Sequence, residues 1–144
     1  MSLHAELHNT LASVSKQCWN ALNPDNNPFA QYEFLIALER NGCLGKRMGW
    51  YPRYFIIRDE QGSLMPAAMC YIKHNSHGEF VFDWAWADAY QRSGKMYYPK
   101  LVCASPFSPV QGPRLLVHPN GNADRLRKLL IRNILKYCED QRLS

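Results

Sequence analysis

Apolar and polar residues alternate along Leu3-His4-Ala5-Glu6-Leu7-His8, the period of a half-buried strand. From Ser13 to Leu22 the apolar positions Val14, Cys18, Ala21 and Leu22 fall at helical spacing, and Ser13 can cap. Asn23-Pro24-Asp25-Asn26-Asn27-Pro28 is dense in turn formers and predicts a loop. A second helix is predicted from about Ala30 to Asn41, with Tyr32, Leu35, Ile36, Leu38 and Glu39 on one mainly apolar face and Gly42 as a stop. The aromatic, β-branched run from Arg53 to Arg58 predicts a strand, Asp59-Glu60-Gln61-Gly62 a hairpin turn, and Leu64 to Lys73 the returning partner.

After a turn at Asn75-Ser76-His77-Gly78, Glu79-Phe80-Val81-Phe82 reads as a third strand of an antiparallel meander. Its alternation puts Glu79, Val81 and Asp83 on one face and Phe80 and Phe82 on the core face. Trp84 to Arg92 reads as a helix ended by Gly94, and Tyr97 to Ala104 as strand or extended chain. Pro106, Pro109 and Pro113 exclude a helix between Ser105 and Pro113. A strand from Arg114 to His118 and a loop at Asn120-Gly121-Asn122 precede a long amphipathic helix, about Asp124 to Gln141. That helix packs on the sheet through Leu126, Leu130 and Ile134. The element order predicts an α+β fold, a mixed and mainly antiparallel sheet flanked by helices.

Composition narrows the class. At 144 residues the chain is one domain or a piece of a larger one, and 47% hydrophobic with 20% charged residues excludes a disordered tail. No apolar run approaches the ~20 residues of a membrane span, and the N-terminus lacks an apolar leader segment, so a cytoplasmic protein is expected. Cys18, Cys43, Cys70, Cys103 and Cys138 are odd in number and widely separated, which predicts reduced thiols rather than a disulfide framework. The net charge of +5 concentrates on the last helix at Arg125, Lys128, Arg132 and Lys136, a pattern that usually marks a solvated face and could also touch a tRNA phosphate.

Three segments carry candidate chemistry. From Lys73 to Trp86, ionisable groups crowd around a turn. His74 does not share the parity of His77, Glu79 and Asp83, so no metal site is predicted and the histidines read as exposed turn residues. Glu79 and Asp83 beside buried aromatics need partners, because an unpaired buried carboxylate is costly. Lys73, Lys100 or Arg114 could supply them. The expectation is one acid paired and the other facing a groove lined by Trp86 and Tyr98. The second segment, Tyr97 to Arg114, sets prolines, aromatics and hydroxyls in a rigid wall suited to a sugar or peptide, or simply in a stiff connector. The third, His118-x-x-Gly121-x-Ala123, opens the last helix. Backbone N–H groups at a helix start bind phosphate. The string resembles the coenzyme A pyrophosphate loop of GNAT acetyltransferases, with His118 in place of their Gln or Arg.

The longer strings define a resemblance over nearly the whole chain. Lys73-x-x-Ser76-x-Gly78-Glu79-Phe80-Val81-Phe82-Asp83-x-x-Trp86-Ala87-x-Ala89-Tyr90, then Tyr97-Tyr98-Pro99-Lys100-Leu101, then Pro106-Phe107-Ser108-Pro109-Val110-x-Gly112-x-Arg114-Leu115-Leu116, resemble the bacterial peptidoglycan biosynthesis/recognition family. That family is similar to the FemAB aminoacyltransferases of the GNAT-like superfamily. Asn75 and Ser108 stand where its members often carry His and Thr. Its members are longer, with a second GNAT-like half, so residues 1–144 are expected to form an N-terminal unit incomplete at its C-terminus.

The resemblance implies acyl or aminoacyl transfer to an amine of a cell-wall precursor or another small amine, from acyl-coenzyme A or aminoacyl-tRNA, with no covalent cofactor. In that reading Glu79 and Asp83 are catalytic. Lys73, Ser76, Trp86, Tyr98, Lys100, Phe107, Ser108 and Arg114 bind substrate, and His118, Gly121 and Ala123 bind the donor. A homodimer or a separate C-terminal half is the expected partner. A non-catalytic muropeptide-binding module and an inactive truncated paralogue remain open beside it.

Overall fold

The hairpin predicted between Arg53 and Lys73 forms the centre of the molecule. The computed structural model describes residues 2–79 and 82–144. β2 (Tyr51–Arg58) and β3 (Leu64–Lys73) pair antiparallel with Tyr54 opposite Met69. Gly62 takes φ +81° in their turn, and the Asp59 carboxylate accepts the N–H groups of Gln61 and Ser63 at 3.0 and 2.8 Å. β1 (His4–His8) adds to the outer side of β2. The other flank of β3 is shared end to end by β4 (Lys100–Cys103), opposite Cys70 to Lys73, and β5 (Leu115–Val117), opposite Pro66 to Ala68. Among the described residues the sheet has five strands, each pairing antiparallel.

Strand alternation divides the core between two sheet faces. Tyr54, Ile56, Ala67, Met69 and Tyr71 pack with Trp19 of α1 (Lys16–Asn20) and with Leu35 and Ile36 of α2 (Tyr32–Arg40). Phe55, Ile57, Ala68 and Cys70 pack on the other face with Leu130 of α4 (Ala123–Gln141), flanked by Ile134 and Tyr137. This is the α+β architecture expected, with helices on both faces of an antiparallel sheet.

Two elements depart from the sequence pattern. The helix expected from Ser13 to Leu22 splits into a 3₁₀ turn (Leu11–Ser13) and α1. Thr10 caps the first and Ser15 the second, and Val14 between them is extended. The third strand expected at Glu79 to Phe82 does not form at its described ends. Glu79 lies in a bend, Phe82 is 49% exposed, and Phe80 and Val81 fall outside the described residues. Among the described residues the flank of β3 is occupied by β4 and β5 instead. Phe82 lies outside the core, stacked on Trp84 at 5.2 Å.

α3 (Trp84–Arg92) forms where predicted but buries no residue. The outer edge of β4 meets Ser144, whose carbonyl accepts from Leu101 N–H at 3.0 Å and whose N–H donates to Pro99 at 3.2 Å. Among the described residues no helix is long and apolar enough to cross a membrane.

Candidate functional site

The β3–β4 register places Lys73 directly opposite Lys100. Both lysines are buried, and like charges across a strand pair repel. The chain answers with two carboxylates from the segment between the strands. Glu79 Oε2 accepts from Lys73 Nζ at 3.1 Å, and both its oxygens accept from Lys100 Nζ, at 2.9 and 3.0 Å. Asp83 accepts from Lys100 and from the Tyr97 hydroxyl, the latter at 2.7 Å. Lys73 also donates to the His77 carbonyl and lies 4.2 Å over the Trp50 ring. Two cations and two anions thus form one connected cluster at the end of β3, bridged by Glu79.

The cluster sets its own protonation. Burial disfavours the charged form of Asp83, but hydrogen bonds from Lys100 and Tyr97 outweigh it and hold the carboxyl below the usual Asp range. Burial likewise works against the Lys100 ammonium, and its bonds to Asp83 and Glu79 more than offset this, so Lys100 is raised. Lys73 goes the other way. Desolvation dominates, the contacts with Glu79 recover only part, and its ammonium is lowered. Burial and the adjacent Asp83 carboxylate push the Tyr97 hydroxyl up.

Two openings reach the carboxylates. One, of about 340 Å³, is walled by Trp50, Gly78, Phe107, Ser108, Pro109 and Arg114, with Ser105 and Val102 behind. The other, of about 380 Å³, approaches from Tyr90, Tyr97, Lys100 and Ser144. Glu79 and Asp83 line both. Phe107 holds φ +60°, a left-handed backbone rare for a non-glycine residue, and its ring lies 4.9 Å from that of Trp50. Gly78, at φ +79°, passes so close that a Cβ there would stand 2.6 Å from both Trp50 Nε1 and Phe107. Trp50 Nε1 and Ser105 Oγ are buried without a hydrogen-bond partner among the described residues.

Most residues singled out by sequence converge here. Lys73, Glu79, Asp83 and Lys100 make the cluster, while Phe107, Ser108 and Arg114 wall the pocket. The Arg114 guanidinium is tied to the carbonyls of Val110 and Gly112. Ser76 is buried beneath the turn, its carbonyl accepting Glu79 N–H at 3.2 Å. Tyr98 stands with its ring 5.8 Å from Lys100 Nζ but lines neither opening.

Two expectations are corrected. Trp86 is 65% exposed on α3 and lines neither opening, because that helix turns no residue into the core. Both acids, not one, are paired, and both also face the openings, because a single lysine reaches the two of them. His74 and His77 are exposed, as expected of turn residues.

His118, Gly121 and Ala123 lie apart from this cluster. His118 Nδ1 accepts from Asn120 N–H at 3.1 Å, His118 O accepts from Gly121 N–H at 2.9 Å, and Asn122 caps α4 through Arg125 N–H. The loop thus spends these N–H groups on itself, beside a small apolar hollow formed with Leu3, Met65 and Leu126. Trp50, Ser105 and Tyr97 escaped the sequence-based site list. Tyr97 and Ser105 lie within the proline-rich segment read as a rigid wall, without a role of their own, and for Trp50 no local signal pointed to chemistry.

The described residues thus form an antiparallel α+β domain with a charge-balanced Lys–Glu–Lys–Asp cluster whose two carboxylates line two openings. The chain belongs to the FemAB-like family, peptidoglycan biosynthesis/recognition, whose model matches residues 10–144. No curated protein and no solved structure matches it. Membership assigns the chain a role in peptidoglycan biosynthesis or recognition.

Proposed function

We propose that this chain is the precursor-binding unit of an acyl- or aminoacyltransferase, and that the pocket at Glu79 and Asp83 receives an amine of a cell-wall precursor. The observation that carries this reading is the pair of carboxylates at the pocket surface, held by lysines behind them. An incoming ammonium meets two fixed acceptors already partly desolvated, so little reorganisation remains on binding.

In transfer, the enzyme's main task is to hold the amine against an ester or thioester carbonyl. The bound ammonium first gives up one proton to free its lone pair; the neutral amine then forms the C–N bond as the C–O or C–S bond breaks, the donor leaves as its alcohol or thiol, and the second N–H proton reaches that leaving group through a base. Glu79 is the residue proposed to take that proton. Asp83, held below the usual range, suits binding the cation better than removing its proton. The acyl donor is acyl-coenzyme A or aminoacyl-tRNA, and a separate polypeptide is the proposed source of further donor-binding groups.

One observation favours a second reading, a muropeptide-recognition module without catalysis. Both acids are ion-paired with lysines at rest, and Asp83 is held below the usual Asp range, which weakens it as a base. A thermal-shift screen separates the two. Muropeptides bearing a free amine should raise Tm in the wild type and not in Glu79→Gln. Coenzyme A, acetyl-coenzyme A or an aminoacyl-tRNA analogue raising Tm as well would favour transferase over module. No shift with any muropeptide would refute both.

A further inference from the structure

The tryptophans of the core are not treated alike. Trp19 Nε1 donates to the Ala30 carbonyl at 3.0 Å, as a buried indole normally must. Trp50 is equally buried, at 1% exposure, and its Nε1 has no acceptor among the described residues. Ser105, at 3% exposure, has an equally unpartnered hydroxyl. Both line the same pocket as Glu79 and Asp83. Buried donors are almost always satisfied, and two unsatisfied ones on residues that line one pocket mark a place where a ligand can supply the acceptor.

The surroundings hold the indole in that state. Lys73 covers one part of its ring, Tyr71 and Phe107 pack at 5.4 and 4.9 Å, and glycine at position 78 leaves Nε1 clear of a side chain. An indole N–H only donates, so whatever it binds must present a lone pair. The carboxylates in the same pocket only accept, so they demand a donor. A ligand satisfying both carries an amine and a carbonyl or carboxylate oxygen a short distance apart.

We propose that Trp50 Nε1–H and Ser105 Oγ–H form a donor pair for a carbonyl oxygen of the ligand, so that the site recognises an amino-acid unit by its amine and its carbonyl together. This rests on the amine-binding role proposed for Glu79 and Asp83 and adds the group at the other end.

The test uses three small probes, glycinamide, ethylamine and acetamide, followed through the indole N–H resonances of the uniformly ¹⁵N-labelled chain. Trp50→Phe assigns its signal by deletion, and the Trp19 signal reports that the core is intact. Glycinamide and acetamide should move the Trp50 signal saturably, ethylamine should not, and Ser105→Ala should weaken glycinamide at least about five-fold while leaving the Trp19 signal in place. If Trp50→Phe fails to fold, the wild-type and Ser105→Ala titrations still decide. A Trp50 signal that responds no more to glycinamide than to ethylamine overturns the proposal, as does equal glycinamide affinity in Ser105→Ala. A muropeptide that raises Tm without moving the Trp50 signal leaves the proposed function standing and removes this pair. A carbonyl response without muropeptide binding does the reverse.

Discussion

Replacing Lys100 with methionine removes the one cation that touches both carboxylates of the site while keeping most of the apolar stem of the side chain. Lys100 is 4% exposed and makes contacts of 2.9 and 3.0 Å to Glu79 together with its bond to Asp83. Removing one partner of a buried ion pair typically costs ~3–5 kcal/mol, because the remaining charge is left uncompensated. The lower end applies here. Glu79 keeps Lys73 at 3.1 Å, and both acids retain contact with solvent at the pocket. A loss of about 3 kcal/mol in a chain of this size lowers Tm by roughly 10 °C.

The pH dependence distinguishes this mechanism from loss of packing. Asp83 is depressed in the fold, so its stabilisation is present above the unfolded carboxylate value of ~3.9 and lost as pH falls through the lower folded value. Lys100 is raised, so its contribution is present below ~10.4 and lost as pH rises through the folded value. The difference between wild type and Lys100→Met should be greatest between these limits and shrink at both ends. Asp83→Asn added to Lys100→Met should recover part of the loss. Urea unfolding with unchanged slope measures it. A variant within about 0.5 kcal/mol of wild type at neutral pH, or a loss independent of pH, would refute the reasoning.

Three further outcomes are expected. Leu130→Ala, fully buried between α4 and the sheet, should cost ~2–5 kcal/mol in the same assay, with no change in muropeptide affinity at temperatures where the chain is folded. Gly78→Ala combines positive φ with a 2.6 Å clash against Trp50 and Phe107, so it should destabilise by about 1–3 kcal/mol and change the near-ultraviolet circular dichroism of the Trp50 environment. Trp86→Ser, on the exposed side of α3, should change stability by less than about 0.5 kcal/mol and leave ligand affinity unchanged, as thermal unfolding and titration would report.

The hairpin, α3 and α4 were legible because each rests on a local signal: alternation with a glycine turn, a glycine stop, and a heptad-like apolar stripe. The third strand expected at Glu79 to Phe82 rests on alternation alone, and at its described ends tertiary contacts prevail: Glu79 is drawn to Lys73 and Lys100, while β4 and β5 take the flank of β3. The acids were legible as groups needing partners, since burial beside aromatics demands neutralisation. Their joint attachment to Lys100 was not, because it depends on the Lys73–Lys100 register, which no local pattern encodes. Trp50 was invisible as a donor for a similar reason. A tryptophan in sequence reads as core, and its unpaired Nε1 emerges only once Gly78 and Phe107 are packed around it.

The central claim, that Glu79 and Asp83 receive the amine of a cell-wall precursor, is tested most directly by calorimetric titration of the wild-type chain with one muropeptide in two forms, free amine and N-acetylated. The account predicts saturable binding of the free amine, at least ten-fold weaker binding of the acetylated form, and a comparable loss for the free amine in Glu79→Gln. Equal affinity for the two forms, or full affinity in Glu79→Gln, would contradict it.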